Sequence, residues 1–321
     1  MTAEFNPHSP TPLPKRSTQL PTSPSLTLPT PPRALLFDVF GTCVDWRTTV
    51  TNTVIEWKSK ALNDATASLA SRLRLHASSL DTSDWGLFAQ EWRDAYMHYT
   101  RGVASGAIPP ENYMSIDEHH HVSLKQLIEK WKLQGLWTDE DVQTMSRIWH
   151  YLDPWPDAVR GIQELNRLYW TCTLSNGNVE LLGDMAIHAG LEWTHIFSAS
   201  MWESFKPSPK VYLGAVEKLG LKPEECVMVA AHLADLKAAK GCGLRTVYVE
   251  RPGEEVLDVE EARGEGYVDV WVDEGEEGFV TVAERLGVAV DRSRSRSLST
   301  GVEGIESLRK KGFTDVPDSL P

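Results

Sequence analysis

The sequence predicts an α/β fold in which a Rossmann-like, doubly wound parallel sheet carries an inserted helical cap domain. Short apolar runs alternate with amphipathic helical stretches through most of the chain, and residues 49–150 interrupt this alternation with helical patterns alone. Short buried strands separated by helices are typical of a parallel sheet covered on both faces. The interruption is therefore predicted to be a separate helical domain inserted into the sheet domain.

Six apolar runs are the predicted strands. Each is five to seven residues long, which suits a buried strand better than a helix. Helical patterns over residues 178–190 and 208–220 separate neighbouring runs. The predicted strands are residues 34–40, 170–175, 195–200, 226–231, 245–249 and 267–272, the last of them at an edge of the sheet.

Residues 49–150 are the predicted cap, and they contain six of the twelve tryptophans. The insertion directly follows the first strand and its loop, so it is placed over the carboxyl edge of the sheet. Open parallel sheets bind ligands at that edge, and a helical lid there excludes water from a site. The catalytic core is then formed by residues 33–48 and 151–290.

Both ends of the chain are predicted to be tails. Residues 1–32 contain 9 of the 19 prolines and ten serines or threonines, so they cannot bury enough apolar surface to offset the entropy of ordering. Residues 291–321 begin with DRSRSRSLSTG and are expected to be a flexible tail.

Composition and charge narrow the possible partners. The chain has 32 lysines and arginines against 45 aspartates and glutamates, a net charge of −13 that disfavours nucleic acid and acidic membranes. No apolar run reaches the length of a membrane span. The four cysteines form no CxxC pair, and the N-terminus lacks a secretory pattern, so a cytoplasmic protein is expected. A small molecule is the expected partner, and a homodimer is an assembly that the sequence leaves open.

Polar residues follow several of the predicted strands. Singly, each is explained as a turn former, a helix cap or a solvated loop residue. Together they favour a site, because the carboxyl ends of parallel strands meet at one rim. These residues are Asp38, Thr42, Ser175, Asn176, Lys206, His232 and Asp235.

The motifs around these residues resemble the haloacid dehalogenase superfamily, and most closely its type II branch, the L-2-haloacid dehalogenases. The resemblance covers roughly residues 33–285. It rests on the order and spacing of FDVFGT (37–42), LSNG (174–177), FKPSPKVY (205–212) and VAAHLADLKAAKGCGL (229–244). It implies a Rossmann-like core, a helical cap and an aspartate nucleophile.

The resemblance gives Asp38 the role of the nucleophile that displaces halide from a 2-haloacid and forms an aspartyl ester. Lys206 is expected to keep this carboxylate ionised and oriented. By resemblance, Thr42 and Tyr212 complete its hydrogen bonding. For Tyr212, a core position on a helix face is an equally good interpretation.

The resemblance also implies how substrate is held. Ser175 matches the residue that binds the substrate carboxylate, and Asn176 with Arg93 matches the cradle of the departing halide. A solvated helix arginine is the alternative interpretation of Arg93. Phe40 and residues of the cap are expected to form the walls of a small aromatic pocket.

Ester hydrolysis is assigned by resemblance to Asp235, which positions or activates water. The type II dehalogenases have Ser-x-Asn where this chain has Ala230 and His232. His232 can orient water or act as a base, since imidazole changes charge near neutral pH. The two departures leave the identity of the substrate open.

Two other functions are alternatives. Phosphatases of the superfamily need an aspartate two residues after the nucleophile, where this chain has Phe40, and several carboxylates for Mg²⁺. A non-catalytic protein that binds a small molecule on the same fold is the second alternative. Neither a metal nor a cofactor is therefore expected.

Three consecutive histidines stand at residues 119–121. Consecutive residues on a helix point in different directions, so these side chains cannot all bind one metal ion. An exposed cap helix or loop is the expected setting.

Overall fold

The computed structural model describes residues 31–65 and 68–291. The predicted tails lie almost entirely outside these ranges. The fold and the site belong to a compact unit that ends at Val288. None of the helices in the described ranges combines the length and the apolar character needed to cross a membrane.

The sheet has six parallel strands in the order β3-β2-β1-β4-β5-β6, the Rossmann order. The doubly wound parallel sheet predicted from the sequence is therefore confirmed. Every residue of β1 and β4 is buried, as expected for central strands covered on both faces. The strands are β1 (Ala34–Phe37), β2 (Trp170–Ser175), β3 (His195–Ser198), β4 (Cys226–Ala230), β5 (Arg245–Val249) and β6 (Val270–Val272).

Several strands are shorter than predicted, and the shortening of the first strand matters for the site. The run predicted over 34–40 leaves the ladder after Phe37, although the backbone N–H of Asp38 still donates to the carbonyl of Val229 at 3.0 Å. The predicted edge strand 267–272 shortens to its last three residues. The residues that follow Phe37 therefore form a loop, and this loop carries the side chain of Asp38 into the site.

Within the described part of residues 49–150, every regular element is a helix. Three of these helices begin with a capping box, whose N-cap residues are Asp81, Ser115 and Thr138. The first helix begins at Trp46, three residues before the predicted start of the cap. The helices are α1 (Trp46–Asn63), α2 (Ser71–Ser79), α3 (Thr82–Ala104), α4 (Ile116–Lys130) and α5 (Asp139–Ser146).

The sheet is covered by the remaining helices. The patterns predicted over 178–190 and 208–220 are helices one residue shorter at each end. A 3₁₀ turn, Arg147–His150, joins α5 to the return of the chain into the sheet domain. The remaining helices are α6 (Ala158–Leu165), α7 (Val179–Ala189), α8 (Pro209–Leu219), α9 (Leu233–Gly241), α10 (Val259–Glu265) and α11 (Gly278–Arg285).

The expectation that the triple histidine is exposed is wrong for two of its members. His119 and His120 are buried in α4, at 7% and 1% exposure. They occupy the same helix face as Ile116, Ser123 and Leu124, with the 3–4 residue spacing of a buried stripe. His119 stacks on Tyr99, and His120 lies between Tyr96 and Trp149.

Candidate active site

A cavity of about 590 Å³ lies between the carboxyl edge of the sheet and the helices of the predicted cap. It brings together eight of the ten residues that the sequence singled out. These eight lining residues are Asp38, Phe40, Arg93, Asn176, Lys206, Tyr212, His232 and Asp235. Thr42 and Ser175 are fully buried behind the lining.

Asp38 lies directly after β1 and is bound at both carboxylate oxygens. Lys206 Nζ lies 2.8 Å from Oδ1, while Thr42 donates to Oδ2 at 2.7 Å. His232 Nδ1 lies 3.0 Å from the same Oδ2. Although burial alone favours the neutral acid, Lys206 and His232 hold the pKa of Asp38 far below its usual range. The side chain is therefore an oriented, ionised carboxylate in a buried setting.

Lys206 bridges two carboxylates, since its Nζ also lies 2.6 Å from Asp235 Oδ2. Although burial disfavours the ammonium, Asp235 and Asp38 raise the pKa of Lys206 above its ordinary value. Burial also raises the pKa of Asp235, although Lys206 opposes that effect. The two acids thus differ: Asp38 is held as the anion, and Asp235 binds a proton more readily.

Tyr212 contacts a different acid from the one that the resemblance implies. Its hydroxyl donates to Asp235 Oδ1 at 2.5 Å, and not to Asp38. The reason is its position in the first turn of α8, which packs beside α9, the helix that carries Asp235. Tyr212 therefore orients the acid expected to handle water.

The loop after β2 supports Lys206. Asn176 Oδ1 accepts the backbone N–H of Lys206 at 2.7 Å, and its Nδ2 donates to the Lys206 carbonyl at 3.4 Å. Ser175 Oγ accepts from the backbone N–H of Gly177 at 3.3 Å. Because Ser175 is fully buried outside the lining, its direct contact with substrate stays a prediction.

Thr42 joins the ends of the two central strands. Its hydroxyl donates to Asp38 and accepts the backbone N–H of Ala231 at 2.9 Å. This chain of hydrogen bonds fixes the loop after β1 against the end of β4, at the point where the strand order reverses. Ligands bind at this point in doubly wound sheets.

Arg93 projects from α3 into an aromatic box. Its guanidinium carbon lies 4.7 Å from the ring centroid of Tyr96, 5.4 Å from that of Phe40 and 5.6 Å from that of Trp46. The side chain is buried, and Nη1 has no hydrogen-bond partner among the residues that the structure describes. A buried cation with an open donor is suited to bind an anion.

Glu254 is a site residue that the sequence reasoning missed. It lies in the loop after β5, lines the cavity, and places Oε2 3.3 Å from His232 Nε2. The rule that polar residues after parallel strands share one rim applies to β5 as well, and it could have found Glu254. The position is not adjacent to the strand, so no short motif marks it.

Buried ionisable groups thus lie at the carboxyl edge of a Rossmann-ordered sheet, beneath a helical insertion, as in the class of capped α/β enzymes. Residues 32–243 match the family model described as haloacid dehalogenase-like hydrolase. This match covers more than half of the chain, and the chain belongs to that family.

Similar proteins of known name include both dehalogenases and phosphatases. The chain is 32% identical over 126 residues to the (S)-2-haloacid dehalogenase of Xanthobacter autotrophicus, covering 38% of this chain and 49% of that protein. It is 32% identical over 107 residues to the glyceraldehyde 3-phosphate phosphatase of Methanopyrus kandleri, covering 32% of this chain and 45% of that protein. The chain thus spans about half the length of the curated relatives it matches.

A solved structure matches over a longer range. The crystal structure of a defluorinating L-2-haloacid dehalogenase superposes with a TM-score of 0.66 at 31% identity, covering 79% of this chain and 95% of that one. The similarity therefore extends through sheet and helical insertion together.

Proposed function

We propose that this protein hydrolyses a small 2-haloacid, or a related 2-substituted carboxylic acid, through a covalent aspartyl ester on Asp38. The observation that carries the proposal is the ion pair of Asp38 with Lys206 in a cavity that Arg93 also lines. A buried, oriented carboxylate is a better nucleophile than one solvated in water.

In the first step, a carboxylate oxygen of Asp38 attacks Cα of the substrate. The bond from Cα to the leaving group breaks, and its electron pair leaves with the halide. Arg93 receives this anion between aromatic rings that keep water away. Asn176 keeps one amide N–H besides the bond to Lys206, and this N–H completes the cradle.

In the second step, water attacks Cγ of the Asp38 ester. Asp235 takes the proton of the water, since its pKa is raised by burial. The bond from Cγ to the ester oxygen breaks, and the proton passes to the departing 2-hydroxy acid. The water oxygen stays in Asp38, which releases the second proton of this water to solvent and returns to the carboxylate.

The geometry disfavours the phosphatase alternative. Phe40 stands where the phosphatases of the superfamily need an acid and cannot protonate a leaving oxygen. Lys206 already forms ion pairs with both Asp38 and Asp235, and two carboxylates are a thin set for the six oxygen ligands that Mg²⁺ prefers.

The test compares the wild type with Asp38→Asn on both enantiomers of 2-chloropropionate, with EDTA present, by measuring halide release. We expect release from one enantiomer and a loss of at least about 10⁴-fold in the variant, because the nucleophile is removed. Single turnover in ¹⁸O-water should place heavy oxygen in Asp38. Asp153→Asn, a surface carboxylate that pairs with His188, is the matched control and should keep full activity.

Three outcomes would contradict the proposal. Absence of ¹⁸O from Asp38 after turnover of any substrate rejects the covalent route. Phosphate release that depends on Mg²⁺ and survives Phe40→Ala favours the phosphatase. Full activity of Asp38→Asn removes Asp38 from the mechanism.

A further inference from the structure

Glu254 and Asp38 hold the two ring nitrogens of His232 from opposite sides. Nδ1 lies 3.0 Å from Asp38 Oδ2, and Nε2 lies 3.3 Å from Glu254 Oε2. We infer that Glu254 is a positioning residue that fixes His232 as a charged hydrogen-bond donor to the nucleophile. This inference rests on the proposed function and adds to it a residue outside the motifs of the family resemblance.

The loop that carries Glu254 is anchored on both sides of that residue. Arg251 is buried, donates from Nε to the carbonyl of Thr42 at 3.0 Å, and forms two bonds with Asp157 at 2.6 and 2.9 Å. Glu255 accepts the backbone N–H of Leu233, the first residue of α9, at 2.5 Å. The loop is therefore fixed to the ends of β1 and β4, the strands whose ends carry Asp38 and His232.

The loop after β1 leaves room for Glu254. Gly41 has a φ of +83°, and a Cβ atom on it would lie 2.0 Å from Glu254 Oε2. Any side chain at this position would therefore displace the carboxylate. The side chain of Glu254 is 4% exposed, so its charge is balanced inside the protein and not by solvent.

Two carboxylates determine the charge of the ring between them. A neutral imidazole has one N–H donor and one acceptor, while ionised carboxylates only accept. A neutral ring would therefore turn a lone pair toward one carboxylate. Although burial opposes the charge, the hydrogen bonds to Asp38 and Glu254 raise the pKa of His232 to about 9. His232 is then a cation at neutral pH and not a general base.

The charged groups around this pair come from three elements. Asp38 at the end of β1 and Glu254 after β5 face His232, and Arg93 of α3 faces Glu254 from the cap. Although burial raises it, His232 and Arg93 lower the pKa of Glu254, so the residue stays ionised. The alternating charges are thus Asp38, His232, Glu254 and Arg93.

The position of His232 suits the second step of the reaction. If Oδ1 of Asp38 forms the ester, Oδ2 is the ester carbonyl oxygen, which becomes negative when water attacks Cγ. Thr42 and His232 both donate to Oδ2. A charged donor that is already in place stabilises this oxygen more than a neutral one does.

The direct test is the titration of His232 by NMR in the full chain labelled with ¹⁵N-histidine, its signal being assigned by its loss in His232→Asn. We expect Glu254→Gln to lower the titration midpoint by about 1 to 3 pH units, because one of two carboxylate partners is removed. Glu254→Asp should restore part of the shift. Glu250→Gln, a carboxylate in the same loop that binds the backbone of Glu274, is the control and should leave the midpoint unchanged. An unchanged midpoint in Glu254→Gln overturns the inference.

Activity provides the second readout. In Glu254→Gln, kcat should fall about 10-fold near pH 8.5, where His232 of the variant loses its proton, and much less near pH 5.5, where the ring stays charged. An equal loss at both pH values means a merely structural role and overturns the positioning role. If the wild type hydrolyses no haloacid, the proposed function fails, and the NMR titration still decides whether Glu254 holds His232.

Discussion

The pKa values of two pairs of histidines are shifted in opposite directions in this molecule. His119 and His120 lie in α4 among aromatic rings, whereas His150 and His232 each lie between two carboxylates. His120 and His150 are almost equally buried, at 1% and 0% exposure. Burial alone therefore does not determine the charge of a histidine, and the partners of its ring nitrogens do.

Among the aromatic rings around His119 and His120, burial disfavours the charged imidazole, and no opposing interaction offsets this effect among the described residues. Burial lowers the pKa of His119 to about 4 and places that of His120 well below its ordinary value. Neither nitrogen of His120 has a hydrogen-bond partner within the described ranges. Both rings are therefore neutral at physiological pH.

His150 is the opposite case. Its Nδ1 lies 2.8 Å from Asp184 on α7, and its Nε2 lies 3.0 Å from Asp117 on α4. Although burial lowers it, these two carboxylates raise the pKa of His150 overall. Asp117 also accepts from Asn178 at 3.1 Å, so this cluster ties α4 to the loop that carries Asn176.

The largest effect on stability is expected from His150→Ala, which should lower the free energy of unfolding by about 3 kcal/mol. The change leaves a cavity and removes two charge-assisted hydrogen bonds. His188→Ala is the matched control, because His188 is exposed and its ion pair is with the exposed Asp153; its effect should stay below about 0.5 kcal/mol. Denaturant unfolding measures both, and equal small effects would mean that the buried cluster contributes nothing.

The sequence predicts the fold and most of the site for a physical reason. Parallel strands place their carboxyl ends at one rim, so a list of polar residues after strands already gathers Asp38, Lys206 and Asp235. Contacts between side chains on two different helices do not follow from this rule. Tyr212 binds Asp235 because α8 and α9 pack side by side, and that packing has no signature in the spacing of the motifs.

The missed features have different causes. Glu254 lies in an irregular loop, where no periodicity indicates which way a side chain points. The burial of His119 and His120 is predictable from the sequence, because Ile116 and Leu124 at helical spacing define a buried stripe that includes both histidines. A triple histidine suggests a solvated surface by composition, and here the helical period decides against it.

Acidic pH should distinguish the histidines that lie among aromatic rings from those that lie between carboxylates. The folded pKa of His119 is lowered, so its stabilising effect is complete above about pH 6.5 and is lost as pH falls toward 4. The stability difference between the wild type and His119→Phe should therefore change by about 2 kcal/mol across this window. His98→Phe, at an exposed position on α3, is the control and should show no such change. A flat difference for His119→Phe would mean that the ring keeps a proton-accepting partner when folded.

The smallest effect is expected from His120→Phe, which should leave stability unchanged or raise it by up to about 1 kcal/mol. The ring of His120 stacks on Tyr96 and Trp149, and phenylalanine keeps this stacking while removing two nitrogens that are desolvated without a partner. The same substitution at His150, which is as deeply buried, should destabilise the protein because it leaves Asp117 and Asp184 without their shared donor. Opposite signs for one substitution at two equally buried histidines would establish that hydrogen-bond partners, and not depth, decide what each ring contributes. A clear loss of stability in His120→Phe, matching that of His150→Phe, would contradict this.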